Sequence, residues 1–414
     1  MLVSNRFYSV FLTTSFLLLF SLQTVSESAD SFDIKSSTQV MWGDDQNGES
    51  EPVFAEYLRF SYTGESSDDD NGFSITGYGR GSKDEGQGTF RDTDWAGRLY
   101  YMYVGYSPME NLDLTFGRQF VSTTAHSSVV DGLNLDYHDI LGYLGISLIG
   151  GSEVSFGIDS DFSSDTGIVT GIDIGLENIP GLRTSLSWAK RYDETETAME
   201  TFGFNFSAYK GKFMPYLEIK YDYLTDTTRQ GAAGLDIFPT LNQKLKVEYY
   251  QSYPIFDSTS IYSTFAVDLY TEAIIQYEYT LSKPITLILA VKQQDYQDGD
   301  TTDVYRVGAS GNFTERIAVS VAIDSEQGYA GDLVGGELYC DFKKSDALIL
   351  SGGLQSDTYV RNFDTGDTFS ADRVWLGGKY GIGENSSITA RFEDNQNENF
   401  TNRYIGRMAF DITF

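Results

Sequence analysis

Residues 167–177 read Gly-Ile-Val-Thr-Gly-Ile-Asp-Ile-Gly-Leu-Glu. Ile168, Thr170, Ile172, Ile174 and Leu176 alternate with Val169, Gly171, Asp173, Gly175 and Glu177. Successive side chains of a β-strand point to opposite faces, so this segment is a strand with one greasy and one mostly polar side. The pattern recurs at 213–223, where Phe213, Pro215, Leu217, Ile219, Tyr221 and Tyr223 oppose Met214, Tyr216, Glu218, Lys220 and Asp222. Ile317, Val319, Val321 and Ile323 oppose Arg316, Ala318, Ser320, Ala322 and Asp324 in the same way. From about Ile34 to the last residue the chain repeats one unit, roughly ten alternating residues and then a turn. No stretch with helical period competes.

A soluble sandwich also alternates, with its apolar face inward. Here the polar faces carry charges of both signs and glycine, as a wet interior requires. Aromatic residues cluster near segment ends (Tyr57, Tyr62, Trp95, Tyr106, Tyr277, Tyr279, Tyr380, Tyr404), where interfacial girdles place them. Connections alternate between short and long. These features predict an all-β fold, a single transmembrane antiparallel up-and-down β-barrel spanning 29–414. Reading the links by parity gives about 22 strands (range roughly 16–22), with both termini at one end. The first strand starts too close to the predicted mature end for a plug domain.

Composition agrees. The 414 residues carry 60 acidic and 29 basic side chains, a formal net charge of −31, which disfavours any nucleic-acid partner. A lone cysteine, Cys340, excludes a disulfide framework, a cysteine-based zinc site and covalent haem attachment, so no cofactor of the chain's own is expected. Arg6, the apolar run 10–20 and the small residues up to Ala29 form a secretory leader over residues 1–28, too short in its apolar part to span a membrane. The protein is therefore expected to be exported.

Alternation turns a set of charges toward the lumen. The basic ones are Arg183, Arg191, Lys220, Arg306, Arg316, Arg373, Arg391, Arg403 and Arg407. The acidic ones are Asp173, Glu177, Glu218, Asp222, Glu248, Glu278, Glu337 and Asp411. With their inward neighbours the two signs nearly balance, so most of the negative charge belongs to loops and rims, predicting a weak cation preference set at the mouths. The same charges also satisfy one another as cross-strand ion pairs. Cys340 shares the lipid-facing set of Val334, Gly336, Leu338 and Phe342. The acidic clusters Asp68–Asp70, Asp159/Asp161/Asp165 and Asp298/Asp300/Asp303 read chiefly as solvated loop charge; none completes a calcium loop. His126 and His138, with Ser127 nearby, supply the only material for hydrolytic chemistry, and their spacing matches no esterase motif.

The chain ends Arg-Tyr-Ile-Gly-Arg-Met-Ala-Phe-Asp-Ile-Thr-Phe over 403–414. An amphipathic last strand closed by Phe414 resembles the assembly signal of bacterial outer-membrane proteins, which the barrel-assembly machinery reads. The passage Gly117-Arg118-Gln119, then Asp131-Gly132, resembles one that precedes or forms a constriction in porin-like barrels, which implies a constriction at Arg118 and Asp131. Strict alternation puts Arg118 with Leu112, Leu114 and Phe116, so either a bulge turns it inward or it lies at headgroup level. The family resemblance implies an outer-membrane porin or channel of a Gram-negative bacterium for small hydrophilic solutes or ions, not an enzyme, set in lipid and lipopolysaccharide, as monomer or homotrimer. A second resemblance, to the Tyr-rich barrels of porin–cytochrome conduits, implies instead a sheath for electron transfer, its haem carried by a partner multihaem cytochrome.

Overall fold

A computed structural model describes residues 31–44, 50–65, 72–84, 95–154, 167–253, 269–281, 285–297, 299–328, 331–362 and 366–414. The leader, Asp68–Asp70, Asp159, Asp161, Asp165 and Asp298 lie outside the described residues. The strands are β1 Ser31–Asp44, β2 Ser50–Glu65, β3 Gly72–Asp84, β4 Trp95–Met109, β5 Leu112–Ser122, β6 Ser127–Ile140, β7 Leu144–Val154 and β8 Ile168–Leu176. They continue as β9 Leu182–Asp193, β10 Glu196–Ala208, β11 Phe213–Asp222, β12 Thr227–Ile237, β13 Gln243–Ser252, β14 Tyr270–Thr280 and β15 Ile285–Tyr296. The last are β16 Thr301–Thr314, β17 Ile317–Gly328, β18 Leu333–Lys343, β19 Leu348–Asn362, β20 Asp367–Gly381, β21 Ser386–Asn397 and β22 Phe400–Thr413.

Each strand pairs antiparallel with the next, and β1 pairs with β22, so the 22 strands close on themselves as the parity count expects. Closure leaves no edge to satisfy in lipid, which is why a barrel can span a membrane. Phe414 completes the seam: its N–H donates to the Ile34 carbonyl at 2.9 Å. With strands about 4.8 Å apart and tilted about 40°, such a wall is roughly 44 Å across. Own-wall side chains do not fill that width, and the described residues include no helix.

The two faces differ as the alternation requires. Leu376 (70% exposed), Phe392, Met408 and Val307 stand outward among many large exposed apolar side chains, an arrangement that is stable only against lipid. Exposed Cys340 lies on the same outward face. Tyr106, Tyr380 and Tyr404 are exposed outward, in keeping with a girdle. Tyr57 is not: it pairs with Arg80 and belongs to the lumen face, because register rather than distance from a strand end decides the side. The Glu56 carboxylate faces outward among these apolar side chains. Glu56 accepts hydrogen bonds from Ser36 Oγ (2.5 Å) and Thr38 Oγ1 (2.6 Å).

Candidate functional site

Past Arg118, β5 parts from β4, while β6 stays paired with β7 as far as Val129. β5 pairs with β4 only between Met109 and Met102, opposite Leu112 and Arg118, whereas β4 continues to Trp95 paired with β3 alone. Glycine permits the departure. Gly117 has φ +125°, and a Cβ there would meet the Met102 carbonyl oxygen at 2.4 Å. At Gly132 a Cβ would lie 2.1 Å from the Gly150 oxygen, so β6 and β7 approach more closely than side chains allow. Arg118 occupies the fork. It is 7% exposed, facing neither lipid nor open lumen. Its guanidinium donates to both Asp131 oxygens (2.8 and 2.7 Å) and to the Leu99 carbonyl (3.2 Å), an acceptor on the stretch of β4 that β5 has left. A buried acceptor left unpaired there would cost about 1–3 kcal/mol, so Arg118 stabilises the branch point.

The tip of the hairpin, 123–126, lies on the inner wall of β9 and β10. Ala125 is wholly buried; its N–H donates to Ser187 Oγ (2.8 Å) and its carbonyl accepts from Thr201 Oγ1 (2.9 Å). Gly203 makes room, since a Cβ there would come within 2.3 Å of the Ala125 nitrogen. Ala189 and Met199 pack against the same residue. Beside them Arg191 donates to Glu153 at 2.9 Å, and His126 Nε2 lies 3.2 Å from the same carboxylate. Below the hairpin is a lumen cavity of about 650 Å3, lined by Phe120 and Thr123 from the hairpin and by Asp136, Asp173, Glu218 and Lys220 from the wall. Phe120 is 63% exposed and borders this space.

Many other inward charges pair, across strands or along one. Arg306 reaches Asp324 (3.1 Å) and Glu337 (2.5 Å); Arg373 and Arg391 converge on Glu393 (2.9 and 2.8 Å), and the Arg391 guanidinium covers the Trp375 ring at 4.1 Å. Lys246 meets Glu248 at 3.0 Å, and Tyr216 donates to the same carboxylate. Glu278 accepts from Gln276 at 2.7 Å, and Arg407 donates to Gln39 at 2.6 Å. Arg183 and Asp411 line inner cavities near the end that carries the termini, and Arg403 at the opposite rim donates to the Asp44 carbonyl (3.1 Å).

Three of the expected lining residues lie at strand ends or in turns, Glu177 bordering the same cavity as Arg183. Asp222, 3% exposed, accepts from Leu224 N, Thr225 N and Thr225 Oγ1, and so caps the turn after β11. Arg316 sits in the turn between β16 and β17, and Glu177 just beyond β8, 3.5 Å from His138. His138 also approaches Asp113 at 3.2 Å. Ser127 Oγ meets Ser122 Oγ at 2.8 Å while His126 faces Glu153, so the hydrolytic pair is not assembled. The inward fold of 119–129 is invisible to alternation, although Gly117, Gly132 and the Gly150-Gly151 doublet carry its signal.

No protein-family model and no curated protein matches the sequence. Among solved structures, the chain is similar to Acinetobacter baumannii OccAB2, with 11% identity over 93% of this chain and 98% of that one, TM-score 0.50. It is likewise similar to a BenF-like porin from Pseudomonas fluorescens, with 10% identity over 94% and 99% of the two chains, TM-score 0.50. At these identities the likeness concerns the fold. The chain has the porin-like fold: a closed antiparallel barrel, apolar toward lipid, its bore narrowed by a hairpin turned inward.

Proposed function

We propose that this protein is an outer-membrane porin, a passive water-filled route for small hydrophilic solutes or ions, lodged after export in the outer membrane of a Gram-negative bacterium. The observation that carries the reading is the inward hairpin: it is held to β9 and β10 by buried hydrogen bonds and borders a polar, charge-lined cavity in the bore. Such a constriction has a purpose in a solute channel. A sheath around a multihaem cytochrome is better served by an empty bore, so the solute pore is the favoured of the two. The net charge of −31 against a largely paired lumen wall supports a mild cation preference arising at the mouths. Barrel-assembly machinery reading Phe414, and lipopolysaccharide around the apolar belt, are the partners this function implies.

Purified full-length protein in planar lipid bilayers tests the proposal. Stepwise ion currents are expected, with a reversal potential of the sign for cations in a potassium chloride gradient. Folded, β-rich protein that inserts and passes no current would overturn it.

A further inference from the structure

The tip of the inward hairpin carries one titratable side chain. Between Arg118 and Asp131 the sequence reads Gln-Phe-Val-Ser-Thr-Thr-Ala-His-Ser-Ser-Val-Val, and His126 is its one ionisable residue. Thr123 closes the turn on either side of it: its N–H donates to the His126 carbonyl at 2.8 Å, and its Oγ1 accepts from the His126 N–H at 3.1 Å. Ala125 and His126 therefore move as a unit.

The seat beneath the tip is slight. Ala125 offers it one methyl group and two hydrogen bonds to neutral hydroxyls, those of Ser187 and Thr201. A hydrogen bond with an ionised partner is roughly twice as strong as a neutral one, so a charge at the tip outweighs either of them. The His126 side chain is 12% exposed, and its Nε2 lies 3.2 Å from Oε1 of Glu153 on β7. Arg191 of β9 donates to the other oxygen, Oε2, at 2.9 Å. The carboxylate thus stands between the two basic groups, and attraction to it acts over a shorter distance than their mutual repulsion. The other elements under the tip present uncharged groups there: Val169 of β8, opposite Arg191, Ser187 and Ala189 of β9, and Met199 and Thr201 of β10. Lys190 and Glu200, next to these in sequence, pair with each other at 3.3 Å on the outward face, and Arg118 and Asp131 pair at the hairpin base.

We infer that His126 is a pH-dependent latch on the hairpin. Protonated, its imidazolium draws the tip onto Glu153 and seats Ala125; neutral, it leaves the tip to its weaker contacts, from which the hairpin lifts more readily. Imidazole is the side chain whose ordinary change of charge falls between about pH 5 and 8, so docking tightens as pH falls through that range and loosens as it rises. On the porin reading the same motion makes the bore narrower in acid, yet the latch requires only the folded barrel and not conduction.

Met199→Cys in a Cys340→Ala background places the chain's one thiol beneath the tip, at a position 3% exposed. Its labelling by a charged maleimide, in detergent-solubilised full-length protein, reports how often the tip lifts. The partner measurement uses the same chain with His126→Gln added, whose amide does not titrate, so the thiol's own pH dependence cancels in the ratio of the two rates. The His126→Gln chain is expected to label about fivefold faster at about pH 5.5 and at nearly the same rate at about pH 8. Should Met199→Cys fail to fold, as judged by circular dichroism, Ala189→Cys under the same tip carries the same expectation. A ratio that stays constant across this range, or grows toward alkaline pH, overturns the latch. A pH-dependent ratio in a protein that passes no bilayer current would keep the latch and remove the pore; stepwise currents with a constant ratio would do the reverse.

Discussion

Two stretches of the same inner wall treat charge in opposite ways. Along β16–β21, Arg306 stands directly opposite Asp324 and reaches Glu337, while Arg373 and Arg391 share Glu393. Along β1–β4, Arg59 stands opposite Lys35 and Arg80 opposite Arg98; Arg59 and Arg80 make no ion pair among the described residues, while Lys35 meets Asp33 along its own strand at 3.5 Å. Both stretches obey the same inward alternation, so alternation alone sets which residues face water. Register then decides whether their charges cancel. The paired wall is built for stability and the bare wall at its expense, a division expected where one of them meets solute.

The hairpin anchor belongs to the paired wall and offers the largest effect. Glu153 is 13% exposed and receives both Arg191 and His126. Glu153→Gln should lower stability by about 3 kcal/mol, the scale for breaking a largely buried ion pair, measured by urea unfolding in lipid vesicles. The freed hairpin should also raise single-channel conductance and its noise. Unchanged, quiet conductance would mean that the hairpin is held without this carboxylate.

On the exposed part of the paired wall the effect is smaller. The Arg306 side chain is 42% exposed, so Arg306→Gln should cost only about 1 kcal/mol. It leaves Asp324 and Glu337 without their cation, and the reversal potential in a salt gradient should move further toward cations. The bare wall should answer differently. Arg59→Gln is expected to change stability by less than about 0.5 kcal/mol, and in the direction of a gain, since Lys35 stands opposite. If it destabilises as much as Arg306→Gln, the contrast between the two walls fails.

How much of this was legible beforehand follows from the range of each interaction. Strand number, the even parity and the outward place of Cys340 are consequences of alternation over ten or so neighbouring residues, and the structure has them so. The inward hairpin depends on Ala125 meeting Ser187 and Thr201, 62 and 76 positions along the chain. No local pattern encodes that meeting; only the glycines that permit it are visible. Arg118 illustrates the limit well. Alternation offers it lipid or lumen, whereas the departure of β5 from β4 creates a third, buried place at Leu99 and Asp131. Nearness to a strand end, a local property, gives Tyr57 a place in the girdle, while its register against Arg80, a distant one, turns it to the lumen. Asp222 reads as a lining charge until the turn after β11 folds back onto it.

The account rests on which face of the wall meets lipid, and the lone cysteine allows a direct measurement. Cys340 faces outward and its neighbour Asp341 inward. In the full-length protein reconstituted in vesicles, Cys340 should react with a lipid-soluble maleimide and resist a charged, water-soluble one. With Cys340→Ala and Asp341→Cys combined, the charged reagent should label the new thiol. Rapid labelling of Cys340 by the charged reagent, with position 341 protected, would contradict the account.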